Sequence, residues 1–209
     1  MGFALAEELA KSGAEVTLVC GPNSLSIKNN SVNRIDVTSA DEMLQQCVNN
    51  SKHADVIVMA AAVADFKPKV KVKEKIKKEE ESFNKIELIP TKDILSELGK
   101  NISAKRAMAH GAKNGSLLVG FALETENEIQ NAKKKLHNKN IDLIVLNSPS
   151  DKTGFNHDTN KITIISPSPT LPKGKRAKDR KENEIKKFEL MSKSECAKVI
   201  VHEIINHIR

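Results

Sequence analysis

Hydrophobic positions along the chain fall into two alternating rhythms. Between Gly2 and Lys11, Phe3, Ala6 and Ala10 share one side with Leu5 and Leu9 beside it, the spacing of a helix, and Gly13 supplies its stop. Ala14-Glu15-Val16-Thr17-Leu18-Val19-Cys20 then reads as a strand closed by Gly21-Pro22. A helix passing through a short glycine turn into such a strand is the second half of a β-α-β unit, and its first half is expected upstream of Met1. Capping-box spacing at Thr38-Ser39-Ala40-Asp41 opens a helix through about Gln46. Asp55 to Val63 is a near-continuous apolar run, as expected of a strand buried on both faces of a parallel sheet. Leu117 to Phe121 is a shorter run of the same kind, Thr125-Glu126-Asn127-Glu128 opens a helix to about Lys139, and Asp142 to Leu146 is the next strand. Ser192 and Glu195, in capping-box register, start a last helix with Ala197, Ile200, Val201, Ile204, Ile205 and Ile208 as one stripe.

This alternation predicts a single α/β domain over residues 1–209, with a doubly wound, mostly parallel sheet. Two stretches break the rhythm. Residues 67–90 hold a lysine-rich segment, expected to be a mobile flap over 67–82, followed by a strand-like Phe83 to Ile89. Residues 154–191 hold Lys161 to Ile165, a strand of an antiparallel extension, then a segment rich in proline and charge, then Phe188-Glu189-Leu190-Met191. Its residues 167–187 are expected to form a flexible loop.

Composition narrows the class. The 209 residues are 39% hydrophobic and 29% charged, and no apolar run approaches a membrane span. No signal peptide opens the chain, so a cytoplasmic location is expected. Cys20, Cys47 and Cys196 are odd in number and have no C-x-x-C spacing, against a disulfide scaffold or zinc knuckle. Of the net charge of +7, residues 67–78 contribute +6 and residues 173–187 contribute +5, leaving a body of about −4. Two basic segments on an acidic body suit a locally held polyanion. Nucleic acid fits less well, because the chain has no Trp or Tyr on which bases would stack.

Several motifs carry possible chemistry. Met59-Ala60-Ala61-Ala62-Val63-Ala64-Asp65-Phe66 ends the second strand in small residues, leaving room for a ligand against backbone with Asp65 at the tip. The alternative is a tightly packed strand with a surface aspartate. The alternating lysines from Lys67 to Lys73 would share one face of an extended segment, which suits either a solvated flap or one closing on a phosphorylated substrate. Lys135 and Lys139, four apart, leave one helix face together; an ordinary exposed lysine face is the commoner explanation of such a pair. His202-Glu203-Ile204-Ile205-Asn206 is a failed zinc-protease pattern, since Asn206 takes the second ligand position. Neither G-x-G-x-x-G nor a P-loop lysine motif occurs.

The strings Met1-Gly2-Phe3-Ala4-Leu5-Ala6-Glu7, Ala61-Ala62-Val63-Ala64-Asp65-Phe66, Glu74-Lys75-Ile76-Lys77-Lys78, Asp93-Ile94-Leu95, Val119-Gly120-Phe121-Ala122, Lys139 to Val145 and Leu190-Met191-Ser192-Lys193 follow in one order. Together they closely resemble phosphopantothenoylcysteine synthetase, the amide-forming enzyme of coenzyme A biosynthesis, over essentially the whole chain. The resemblance implies a Rossmann-like homodimer with a flap, and in many bacteria a preceding flavin-dependent decarboxylase half. It implies activation of the 4'-phosphopantothenate carboxylate by CTP with Mg²⁺, through an acyl-cytidylate that the cysteine amine attacks. By position, Met59, Ala60 and Ala61 match the nucleotide-binding strand end, and Ala61 and Ala62 the place of the activated acyl group. Asp65 matches a carboxylate on the nucleotide, and Lys75 the flap lysine that meets the acyl-nucleotide. Asp93, Ile94 and Leu95 match a backbone loop at the nucleotide, Phe121 a residue beside it, and Lys135 and Lys139 its phosphate-side lysines. No resident metal ligand is implied. The family's glycine-rich first strand and the Ser-Asn segment before Met-Gly have no counterpart here, which implies an N-terminally truncated domain; Asn101 to Asn114 stands as a loop insertion. The competing expectations are a nucleotide- or nucleic-acid-binding module without chemistry, and an inactive fragment.

Overall fold

A computed structural model describes residues 1–70, 85–108, 115–148, 157–167 and 183–208. The elements are α1 (Gly2–Lys11), β1 (Val16–Cys20), β2 (Val32–Asp36), α2 (Ala40–Asn50), β3 (Val56–Met59), β4 (Phe66–Pro68), β5 (Leu88–Pro90) and α3 (Ile94–Met108). They continue with β6 (Leu117–Leu123), α4 (Glu128–Asn138), β7 (Leu143–Asn147), β8 (Thr159–Asn160), β9 (Ile162–Pro167), β10 (Asn183–Lys187), β11 (Met191–Ser192) and α5 (Lys193–Ile208).

The main sheet has the order β10-β9-β7-β6-β3. β3, β6 and β7 are parallel, and β9 and β10 extend the sheet in antiparallel fashion. Neighbouring residues of the central strands point to opposite faces, as the two-residue period of a strand requires. Leu118, Ile144 and Leu146 join Ile94, Leu98, Ile102, Ala132 and Leu136 of α3 and α4 in one core. Val119, Leu143 and Val145 join Leu5 of α1 and Cys196, Ala197, Ile200, Val201 and Ile204 of α5 in the other. Helices therefore cover both faces, the expected doubly wound α/β arrangement.

β1 and β2 form a separate parallel pair. α1 packs on both α5 and β1, and Val19 of β1 and Ile35 of β2 pack against the core of α3 and α4. The small sheet is thus tied to the large one through shared helix layers. β3 pairs only with β6 among the described strands, and its four residues are half-buried. The run from Asp55 to Val63 is accordingly shorter as a strand than expected; Ile57 and Met59 pack on one core and Val56 and Val58 on the other, and the unpaired edge leaves all four half-buried.

Helix ends follow local chemistry. α1 closes with Gly13 at φ 91°, with Ala14 N–H donating to Leu9 O and Gly13 N–H to Ala10 O, the paired bonds of a glycine C-terminal stop. At α2 the box is shifted by one residue from the expected one: Ser39 is the cap, accepting from Glu42 N–H, and the Glu42 carboxylate returns to Thr38 N–H at 2.7 Å. α2 also runs to Asn50 rather than Gln46. At α4 the expected box does not form; Asn127 takes the cap position at φ 47° without a side-chain cap bond. At α5 the Ser192–Glu195 box forms in full.

Three further expectations are corrected. Residues 101–108 are not a loop but the continuation of α3, whose Leu98 and Ile102 reach the core four residues apart. The loop expected over 167–187 is bounded by strands: Pro167 ends β9, and residues 183–187 are β10, with Ile185 on the core and Lys186 2.8 Å from Glu203 of α5. Of the strand-like Phe83 to Ile89, residues 85–87 are not strand and Leu88 and Ile89 belong to β5, which pairs with β4; Phe83 lies outside the described residues. Residues 71–82 of the expected flap lie outside the described residues. Leu136 is fully buried between α4 and the sheet, so Leu136→Ala is expected to lower the unfolding free energy by about 2–5 kcal/mol; urea titration at neutral pH measures it.

Candidate active site

The loops at the carboxyl ends of β3 and β6 are brought level by their register, in which Met59 opposes Gly120. Met59 packs into the core of α3 and α4, while Ala60 turns to the opposite face with Phe121. The start of α1 adjoins this tip, since a methyl group added at Gly2 would stand 3.9 Å from Ala60 Cβ. Ala61, Ala62 and Asp65 follow as an exposed loop. Thr91 staples that loop from across the fold: its N–H donates to Asp65 O at 2.8 Å, and its hydroxyl to Ala64 O. The chain that reaches Asp93 is therefore fixed against the strand tip.

Asp93 caps α3. Its Oδ1 accepts from Ser96 N–H at 3.0 Å, and its Oδ2 lies 2.7 Å from Lys139 Nζ. Ile94 and Leu95 are the first turn of that helix rather than a loop, with Ile94 buried and Leu95 half-buried. Burial alone would raise the Asp93 carboxyl; the Lys139 ammonium and the N–H groups of Ser96 and Leu95 outweigh it, and the group sits below its ordinary value.

Lys135 and Lys139 leave α4 one turn apart and meet different carboxylates. Lys135 Nζ lies 2.5 Å from Glu124 Oε1, just beyond the end of β6, off the direction of a well-formed hydrogen bond, so the contact is charge pairing. Asn131 Nδ2 donates to Glu124 Oε2 at 3.3 Å. Side chains on a helix lean toward its N-terminus, which carries both ammonium groups back along α4. The Lys139–Asp93 pair is partly exposed and contributes at most about 1 kcal/mol, whereas Lys135 sits on a buried oxygen of Glu124.

The structure thus brings Asp93 and Lys139 into contact, holds Asp65 beside Thr91, and sets Met59, Ile94 and Leu95 in one core with Leu136 and Ile141 of the α4 region. Phe121 sits on the opposite face of the sheet from those three. Lys75 lies outside the described residues. At the base of the flap segment, Lys67 pairs with Asp41 and Lys69 with Glu87. Sequence reasoning passed over Thr91 and Glu124; their roles depend on contacts with residues distant in the chain. Among the described residues no group of three or more His, Cys, Asp or Glu side chains could hold a metal ion, and no helix is long and apolar enough to cross a membrane.

A mostly parallel sheet with helices on both faces defines a doubly wound α/β protein, a class in which ligands bind outside the carboxyl ends of the strands. The chain belongs to the DNA/pantothenate metabolism flavoprotein C-terminal domain family, whose model matches residues 1–208. It is 38% identical over 205 residues to the coenzyme A biosynthesis bifunctional protein CoaBC of Haemophilus influenzae, covering 98% of this chain and 44% of that protein. It is 45% identical over 206 residues to a cysteine/cysteine sulfinic acid decarboxylase of an unknown prokaryotic organism, covering 98% of this chain and 50% of that one. The chain therefore spans about half the length of these curated relatives. The crystal structure of the C-terminal domain of a CoaBC protein superposes with a TM-score of 0.69 at 33% identity, covering 97% of this chain and 79% of that one.

Because the folded Asp93 carboxyl titrates below its ordinary value, it stabilises the fold above the unfolded value near ~3.9 and loses that contribution as pH falls through the lower folded one. Asp93→Asn is expected to flatten this acid limb of the stability curve, measured by urea unfolding between about pH 6 and pH 3.

Proposed function

We propose that this chain is the module that joins cysteine to 4'-phosphopantothenate at the expense of CTP. The observation that carries the reading is the family match over residues 1–208, together with the solved C-terminal domain of CoaBC that covers nearly the whole chain. The substrate carboxylate attacks the α-phosphorus of CTP, pyrophosphate leaves, and the cysteine amine then displaces CMP from the acyl carbon, releasing its proton to solvent. Charge accumulates first on the departing pyrophosphate, where ammonium groups help most. Lys135 and Lys139, held on one helix face by ion pairs, and Lys75 from the flap are suited to that task. Met59, Ala60, Ala61, Asp65, Asp93, Ile94, Leu95 and Phe121 bind the nucleotide in this reading, and Ala61 and Ala62 give the acyl group a surface without side-chain bulk.

Mg²⁺ enters as part of the nucleotide. When bound with CTP, Mg²⁺ would offset charge on the phosphates, and Asp65 and Asp93 are the carboxylates of this reading nearest that task. Bringing carboxylate and phosphorus into line supplies the remaining acceleration. These substrates belong to the cytoplasm. Pyrophosphate release that requires CTP, phosphopantothenate and Mg²⁺ together tests the reading in the protein that carries this chain; a folded protein that releases none refutes it. Lys75→Gln and Lys139→Gln are each expected to lower turnover by about 10²-fold.

The homodimer belongs to the same reading. The β4–β5 ribbon exposes Phe66, Val70, Ile86 and Leu88, each more than half accessible. Four large apolar side chains on one small ribbon form a contiguous patch suited to a second copy. Phe66→Asp with Leu88→Asp is expected to halve the mass seen by light scattering; an unchanged mass removes this ribbon from the interface.

A further inference from the structure

We infer that Gly99 is a positioning residue for Lys139, setting the height at which its ammonium meets the incoming phosphates; the inference rests on the ligase reading above. Gly99 is buried on α3, six residues after the Asp93 cap. A Cβ added there would lie 3.0 Å from the Lys139 carbonyl carbon, nearer still to its oxygen, and 3.6 Å from Asn140 Cβ. Only a residue without a side chain lets the main chain of Lys139 rest against α3 at this point.

That contact is made by a defined turn. α4 ends with Asn140 at φ 53°, with Ile141 N–H donating to Leu136 O at 3.0 Å and Asn140 N–H to His137 O at 3.3 Å. This left-handed closure presents the Lys139 carbonyl to Gly99. Just beyond, Ile141 and Leu95 converge on Gly120 of β6, where an added Cβ would meet them at 2.9 and 3.1 Å. Lys139 thus rests on α3, and Ile141, two residues on, is seated against β6.

From Gly99 back to Asp93 the helix rises about 9 Å, from six residues at ~1.5 Å each. The Lys139 side chain spans this gap, with its backbone at Gly99 and its Nζ 2.7 Å from Asp93 Oδ2. Nonbonded heavy atoms rest about 3.5 Å apart, so a methyl at residue 99 forces the Lys139 main chain away from α3 by on the order of 1 Å. An error of that size in a group aimed at reacting phosphates costs about 10²-fold when fully expressed. Lys135 is anchored separately, on Glu124, and does not depend on this seat.

The experiment is a cycle of Gly99→Ala, Lys139→Gln and the double variant, read as CTP-dependent pyrophosphate release with each substrate varied in turn. Gly99→Ala is expected to lower kcat/KM for CTP about tenfold to a hundredfold, with KM for phosphopantothenate changed by less than about twofold. In the Lys139→Gln background the same change is expected to have little further effect, because the group it positions is gone. Asn140→Ala, which loosens the turn without adding bulk at residue 99, is the second variant and is expected to impair CTP selectively as well. Equal losses for both substrates, or a Gly99→Ala effect undiminished by Lys139→Gln, would overturn the inference, as would normal CTP kinetics in Asn140→Ala. Absence of release in the unaltered protein would instead refute the ligase reading, so the two failures are distinct.

Discussion

Strand β6 is the constraint on which the site depends. It is paired in parallel on both sides, with β3 and with β7, and its side chains alternate between the two cores. A slip of one residue would send Leu118 into the core of α1 and α5 and Val119 into that of α3 and α4, exchanging every packed partner at once. The register that prevents this also opposes Met59 to Gly120, and so fixes the alanine loop after β3 level with Phe121. Gly120 adds a second restriction: Leu95 and Ile141 close over it from α3 and from the end of α4. The site's loops and helices take their heights from a single ladder.

The division of the sheet shows where the structure relies on helices instead of backbone bonds. β1 and β3 each have one edge without a hydrogen-bonded neighbour among the described strands. α1 bridges the two pieces on one side, and α2 with α3 on the other, so continuity is maintained by packing. Unpaired edges are templates for a further strand. The same arrangement brings Gly2 at the head of α1 beside Ala60, at the tip of β3.

Legibility in the sequence followed the strength of local signals. α1, α5 and the central strands β6 and β7 carry dense apolar periodicity and were read from it, and the Ser192–Glu195 box marked the start of α5. α3 escaped because Gly99 and polar residues interrupt a stripe of only Ile94, Leu98 and Ile102, so a helix anchored by Asp93 read as a loop followed by an insertion. β10 has one apolar residue, Ile185, between charged neighbours, which is the composition of a solvated edge. The lysine pair was visible as spacing. Which carboxylates it meets was not, since Asp93 and Glu124 reach Lys139 and Lys135 only through the packing of α3, β6 and α4.

Those resting partners bear on how phosphate could be accepted. Removing a lysine from a carboxylate is costly when the carboxylate is left without a donor. The two carboxylates differ in this respect. Asp93 keeps the Ser96 N–H at 3.0 Å, and Glu124 keeps Asn131 Nδ2 at 3.3 Å. Lys139 can therefore leave Asp93 at little cost, whereas Lys135 would leave the buried Glu124 Oε1 without a partner. The Lys139–Asp93 pair is partly exposed and weak, so its exchange needs no rearrangement of α3 or α4. Both carboxylates hold the flexible lysine side chains extended, which reduces the side-chain entropy left to lose on any further contact.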